Sequence, residues 1–296
     1  MHRRRFLTVA GTGVTVGIAG CSSEENTTNE GNDSGGGGTE SPADEADEQT
    51  DGEPASFELR DYTIPEEVQL GNPLAVEVTV VNTGGQSGDF SIPFQIRAPG
   101  REWGTAGEAT VEGVGGGEEA IATNEELIYD HLTELQFRLE GSSDMGVTDF
   151  EVIPAQLSWD EAHLTELEDR LQVNEPVLQG AVEARADEDT TFQWEPDSDG
   201  QWALVEVQVT NERDSAAYPP RPTNYGLSYN GEQTGPDGVS IELTNYEHYE
   251  IDGRVQPGDQ MRGYLLYDVP EDVTVDELQL TYSVTTSSGE IAADWA

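Results

Sequence analysis

The chain has 296 residues, with 60 Asp and Glu against 13 Lys and Arg, and a formal charge of −47. All 13 cations are arginine, and three of them fall within the first five residues. So acidic a chain excludes nucleic acid and an anionic bilayer as partners, since both demand basic patches.

The N-terminus opens Met1-His2-Arg3-Arg4-Arg5-Phe6-Leu7-Thr8, then runs through a weakly apolar, Gly- and Thr-rich stretch to Gly20. Phe6 to Gly20 is too short for a membrane span, which needs ~20 apolar residues. Residues 1–20 therefore read as a targeting segment to be set aside from fold reasoning. Arg3, Arg4, Phe6 and Leu7 resemble the twin-arginine export motif R-R-x-F-L. Ile18-Ala19-Gly20-Cys21 resembles a lipobox, and Cys21 is the single cysteine. The resemblance implies lipidation of Cys21 and anchorage on the outer face of the cytoplasmic membrane. Two acyl chains would make that anchorage stable, whereas one is marginal. With Cys21 so used, no disulfide is available to the domains.

Residues 21–54 read as a lipid-anchored, disordered acidic linker. From residue 22 it holds 11 acids, no base, and the run Gly35 to Gly38, a composition that favours an extended, flexible tether. Asn26-Thr27-Thr28 and Asn32-Asp33-Ser34 are N-glycosylation sequons, marking Asn26 and Asn32. Carboxylate in such excess, with no lysine, resembles the composition of haloarchaeal proteins. Molar salt shortens the Debye length to ~3 Å and screens the self-repulsion. The domains are expected to lose stability below about 0.5 M salt.

From residue 55 the apolar period becomes two. Leu74, Val76, Val78 and Val80 alternate with Ala75, Glu77, Thr79 and Val81, and Phe90, Ile92, Phe94 and Ile96 repeat the pattern. Shorter β-type runs follow at 109–114, 119–122, 134–139 and 147–153. Short strands with Gly-rich turns predict a β-sandwich over 55–153. Residues 154–171 read as a connecting segment with a short helix at about 159–170. Ser158 and Glu161 fit a capping box there, and Leu164, Leu167 and Leu171 follow at helical spacing.

A second sandwich is predicted over 172–296. Val205-Glu206-Val207-Gln208-Val209-Thr210-Asn211 repeats the V-E-V-x-V-x-N pattern of 76–82, and Val255-Gln256-Pro257-Gly258-Asp259 echoes Val114-Gly115-Gly116-Gly117-Glu118. Met261, Gly263, Leu265, Tyr267 and Val269 alternate, as do Leu278, Leu280, Tyr282 and Val284. The fold class is therefore all-β, two immunoglobulin-like sandwiches in tandem.

Two resemblances rest on these residues. Val78-Thr79-Val80-Val81-Asn82-Thr83-Gly84 with Gly117-Glu118 resembles the CARDB-type immunoglobulin-like adhesion modules. The V-x-V-x-N strand, the Pro-Gly turn and Gly263-Tyr264-Leu265-Leu266-Tyr267-Asp268-Val269-Pro270 resemble the telokin-like immunoglobulin-type domain of unknown function found in prokaryotic lipoproteins. Both patterns are structural and imply no catalytic residue.

Chemistry is sparse. His2, His131, His163 and His248 are scattered, and no H-E-x-x-H, C-x-x-C or G-x-S-x-G is present. Neither a zinc site nor a hydrolytic constellation is expected. Asp197-Ser198-Asp199-Gly200 begins like a calcium loop, which makes Asp197 and Asp199 the metal candidates. Position twelve is Gln208 where a Glu is required, so an acidic loop suited to brine is the favoured reading and no cofactor is expected. Tyr218, Tyr225, Tyr229, Tyr246 and Tyr249 gather near Pro219, Pro220 and Pro222. Exposed together they would form a rigid recognition surface for protein or glycan; Tyr225 and Tyr229, sharing a strand face, point instead to at least one core position. The leading expectation is a lipid-anchored cell-surface binding or interaction module without enzymatic activity. The alternative is an accessory lipoprotein subunit of a membrane transporter or redox complex, and an extracellular enzyme ranks last.

Overall fold

The computed structural model describes residues 52–296, except 188, 197–198, 238–241, 248 and 250–252. The expected features at Arg3, Arg4, Phe6, Leu7, Cys21, Asn26, Asn32, Asp197 and His248 lie outside the described residues. Among the described residues the structure is all β, with three short 3-10 turns and no α-helix.

The first sandwich contains β1 (Phe57–Thr63), β2 (Glu67–Gln69), β3 (Glu77–Asn82) and β4 (Gly88–Arg97), then β5 (Gly104–Val114), β6 (Glu119–Asn124), β7 (Thr133–Leu139) and β8 (Thr148–Ile153). The second follows after Pro154 alone. It begins with β9 (Ala155–Leu157), β10 (Ala162–Leu164), β11 (Asp169–Val173), β12 (Val177–Gln179), β13 (Val182–Asp187), β14 (Thr190–Trp194) and β15 (Gly200–Asn211). It continues with β16 (Tyr225–Tyr229), β17 (Glu232–Thr234), β18 (Glu242–Leu243), β19 (Gln260–Pro270), β20 (Leu278–Thr285) and β21 (Glu290–Trp295).

Strand order shows that the two units share one plan. The first runs β1-β3-β6-β5-β4-β7-β8-β2. The second sets β11-β15-β19 where the first has β1-β3-β6, and β17-β16-β20-β21-β9 where the first has β5-β4-β7-β8-β2. Even the parallel edge pair recurs, β2 on β8 and β9 on β21. In the first unit β5 bridges to β6 through Ala109↔Asn124 and Thr110↔Thr123, joining the two layers into one sheet.

The repeated V-E-V-x-V-x-N has a physical basis in its asparagine. Asn82 is fully buried and its Nδ2 donates to Gln86 O and Val114 O, 2.8 and 2.9 Å. Its Oδ1 accepts from Ser56 N and Gly84 N. Asn211 does the same one domain later: Nδ2 donates to Ser215 O and Val255 O, and Oδ1 accepts from Arg213 N. The main chain matches too, with Gly117 N on Asn82 O and Gly258 N on Asn211 O, each 2.7 Å. Gly117 and Gly258 have φ of 79° and 78°, a conformation that favours glycine. One side chain thus closes the backbone groups of two loops at the sandwich end, where water would otherwise be needed.

The cores differ in chemistry. The first packs Leu74, Val76, Val78 and Val80 against Phe94, Phe137 and Phe150. The second packs Val205, Val207 and Val209 against Tyr225, Tyr267, Tyr282 and Trp295. Trp202 and Leu204 lie on the other face of β15, under the small sheet β14-β13-β18. That is why Trp202-Ala203-Leu204-Val205 is continuously apolar: the strand is buried on both sides. Ile291 of β21 belongs to the first core, and Leu132 N donates to Glu290 O at 2.7 Å. The two sandwiches therefore pack directly on each other.

The helix expected at 159–170 is absent, and the segment 154–171 is not a connector. It supplies β9, β10 and the start of β11 to the second sandwich. Half of the capping pattern survives as a turn, since Glu161 N reaches Ser158 O and Ser158 N reaches Glu161 Oε2. A helix would need Glu161 O for Thr165 N. Instead Glu161 O accepts the indole N–H of Trp295, and Thr165 N donates to Asp169 O. Asp160 has φ of 69°, outside the helical region. The leucines also part company: Leu167 packs on the first core, Leu171 in the second, and Leu164 faces solvent.

Candidate binding face

The tyrosine surface expected from sequence is not formed as a unit. Tyr225 and Tyr249 are 1% and 2% exposed and sit in the second core, their hydroxyls 3.5 Å apart. Tyr249 Oη also donates to Pro220 O. Tyr229 and Tyr246 are half-buried. Tyr218 alone is well exposed, with Arg254 over its ring at 5.2 Å. The sandwich needs large inward residues on β16, and Tyr fills them as readily as Phe. Burial pushes the hydroxyls of Tyr225, Tyr249, Tyr267 and Tyr282 to higher pKa, so they stay neutral.

Beside them the buried Asp169 pairs with the half-buried Arg213, Oδ2 to Nη2 at 2.5 Å. Burial raises the Asp169 pKa, while the Arg213 guanidinium pulls it back down. A cavity lined by Pro222, Pro236, Asp237, Tyr249, Tyr264, Leu265 and Leu266 has about 10 Å³ of room, enough for a single water. Asp199 is exposed, and among the described residues no group of three or more His, Cys, Asp or Glu is arranged to hold a metal ion.

The arrangement that stands out is on the outer face of the first sandwich. β4 and β7 pair antiparallel with Gln95 opposite Arg138 and Arg97 opposite Gln136. Phe94, Phe137 and Leu139 are buried on the inner side, so alternation turns the two Gln–Arg pairs outward. Each pair is hydrogen-bonded. Arg97 Nε donates to Gln136 Oε1 at 2.7 Å, and Arg138 donates through Nε and Nη2 to Gln95 Oε1 at 2.9 and 2.6 Å. Trp103, brought back over the sheet by the β4–β5 turn, packs against both guanidiniums. Their carbons lie 4.4 and 4.3 Å from its ring centroid, within the range of a cation–π contact.

Like Arg101, Arg221, Arg254 and Arg262, these two arginines form no carboxylate pair among the described residues, and they are the two that share one indole ring. Arg60, Arg170, Arg185 and Arg213 pair with carboxylates. Neither Arg97 nor Arg138 has a carboxylate oxygen within 4.0 Å among the described residues. Their acceptors are neutral amides and an indole face, and Gln136 Nε2 engages the nearby Asp149. A guanidinium carries five N–H donors; Arg97 uses one and Arg138 two in these bonds. The remaining donors are fixed in place and unspent. Sequence reading passed over these residues, although the signal was present: Gln95-Ile96-Arg97 and Gln136-Phe137-Arg138 are the same Gln-apolar-Arg triplet.

Comparison with known proteins extends the picture of the second sandwich only. The family described as Domain of unknown function (DUF4352) matches residues 168–291. That span runs from β11 into the first two residues of β21 and gives no activity. No curated protein matches the chain.

Proposed function

We propose that this chain is a cell-surface binding protein of a halophilic archaeon, exported by the twin-arginine route. A lipid on Cys21 holds it on the outer face of the cytoplasmic membrane, and residues 22–54 hold the sandwiches away from the bilayer. Its contact surface is the outer β4–β7 face. The observation that carries this is the pair Arg97 and Arg138, held on Trp103 without a carboxylate in a chain of charge −47. Neutral amides and one indole ring hold both guanidiniums in place with N–H donors left over, and a partner's acceptors would take these. The likeness of 78–84 and Gly117-Glu118 to CARDB-type adhesion modules supports binding over catalysis.

The reading is tested on intact cells with a photo-crosslinking residue at Thr105, which sits opposite Gln95 on β5. The expected result is one discrete adduct, lost in the Arg97→Gln/Arg138→Gln double variant. A smear that ignores the double variant rules the face out. Cys21→Ser should release the protein into the medium; retention on the membrane would contradict lipid anchorage.

A further inference from the structure

We infer that the β4–β7 face binds an acidic segment of a partner polypeptide, whose carboxylates are taken by Arg97 and Arg138. This rests on the reading of that face as the contact surface and names what it contacts.

The chemistry follows from the donors left over. Gln95 and Gln136 occupy Nε of each arginine, and Nη2 of Arg138, while Trp103 lies against both planes. The stacking and the amide bonds fix the rotamers before a ligand arrives, so less side-chain entropy is lost on binding. A guanidinium edge so fixed matches a carboxylate in the bidentate manner. The Gln residues are suited to this: a Glu at either position would satisfy the arginine internally and leave nothing for a partner.

The form of the face separates a polypeptide from other anions. It is the open side of a paired sheet, with two cations on neighbouring strands, and suits a chain bearing several carboxylates. A sugar polymer would call for an open aromatic ring to stack on, and the Trp103 ring is already engaged by guanidiniums. Val147, the residue just before β8, is 51% exposed. Extending the β7–β8 register beyond Phe137↔Thr148 places it opposite Arg138, where it offers an apolar contact that a polypeptide side chain can use. Direct contact also matters in brine: at 1 M salt the Debye length is ~3 Å, so only touching, preformed ion pairs persist.

The test measures fluorescence anisotropy of a labelled oligoglutamate on the full, detergent-solubilised chain in molar KCl. Oligoglutamine and oligogalacturonate serve as comparison probes. Saturable oligoglutamate binding is expected, weakened at least about tenfold by Arg97→Gln/Arg138→Gln. Gln95→Glu/Gln136→Glu should weaken it similarly while keeping both arginines and the melting temperature, which separates occupancy of the guanidiniums from misfolding. Tighter binding of oligogalacturonate, equal binding of oligoglutamine, or indifference to both double variants would overturn the inference. If oligoglutamate fails while the Thr105 adduct persists on cells, the ligand class is wrong and the contact face stands. If the adduct is absent as well, both fall.

Discussion

The outer faces of the two sandwiches are built on the same strands and carry opposite chemistry. On β4 and β7 of the first, the outward positions include Gln95, Arg97, Gln136 and Arg138, roofed by Trp103, with Glu134 next along β7. On the corresponding β16 and β20 of the second, they are Gly226, Ser228, Gln279, Thr281 and Ser283. There Gln233 lies directly over Gly226, Ser228 Oγ bonds to Gln279 O, and Thr281 Oγ1 bonds to Asp294 Oδ1. The second face is small, polar and internally satisfied; the first carries two stacked guanidiniums with donors to spare. Inside, the contrast reverses: the first core is mostly aliphatic and phenyl, with one buried hydroxyl at its edge on Tyr129, while the second holds the Asp169–Arg213 pair and several buried tyrosine hydroxyls. The scaffold is common property, and the difference lies in which surface has been given unspent polar groups.

The largest expected effect tests what the sandwiches share. Asn82→Ala should cost about 3 kcal/mol, because four backbone partners, all buried or part-buried at the bond, lose their link to a fully buried side chain. Asn211→Ala, with three, should cost about 2 kcal/mol. Chemical denaturation of both variants in molar salt checks this, and a negligible loss at either corner would break the equivalence.

Much of this fold was legible beforehand. The period-two runs became β3, β4, β15, β19 and β20, and the repeated V-E-V-x-V-x-N marked the two asparagine corners down to their matching loops. The helix failed because its capping box was a local signal, and the competitor for Glu161 O was Trp295, 134 residues away. The tyrosine cluster misled for a similar reason: whether Tyr225 faces water depends on which layer covers β16. The arginine face was written in two Gln-apolar-Arg triplets, but only the register of β4 on β7 turns them into reciprocal pairs.

The next effect probes the charged core. Arg213→Met leaves Asp169 buried without its partner and should cost about 2 kcal/mol at neutral pH. Because the raised Asp169 pKa lies above its usual 3.8, that aspartate contributes fully to the folded state below 3.8, and the contribution is lost as pH rises through the folded value. The penalty of the variant should therefore shrink on acidification, read as converging melting curves. A pH-independent penalty would mean that the pair is not what Arg213 supplies.

Smaller again is Trp103→Ala, expected to cost about 1 kcal/mol through the lost cation–π contacts. Its effect on the Thr105 adduct should exceed its effect on stability, since the guanidiniums lose their fixed orientation. The smallest concerns His163, whose buried Nε2 has no hydrogen-bond partner. Burial lowers its pKa below 6.5, against the opposing pull of Glu161. The stability it contributes is present above 6.5 and is lost as pH falls through the depressed folded value. His163→Gln should flatten that acid limb of the melting profile; an unchanged limb would assign it to other groups.

The contrast between the faces comes down to one paired measurement: photo-crosslinkers at Thr105 and at Ser228, compared side by side on intact cells. The account predicts a discrete adduct from Thr105, abolished by Arg97→Gln/Arg138→Gln, and none from Ser228. Adducts from Ser228 alone, or equal yields from both positions, would contradict it.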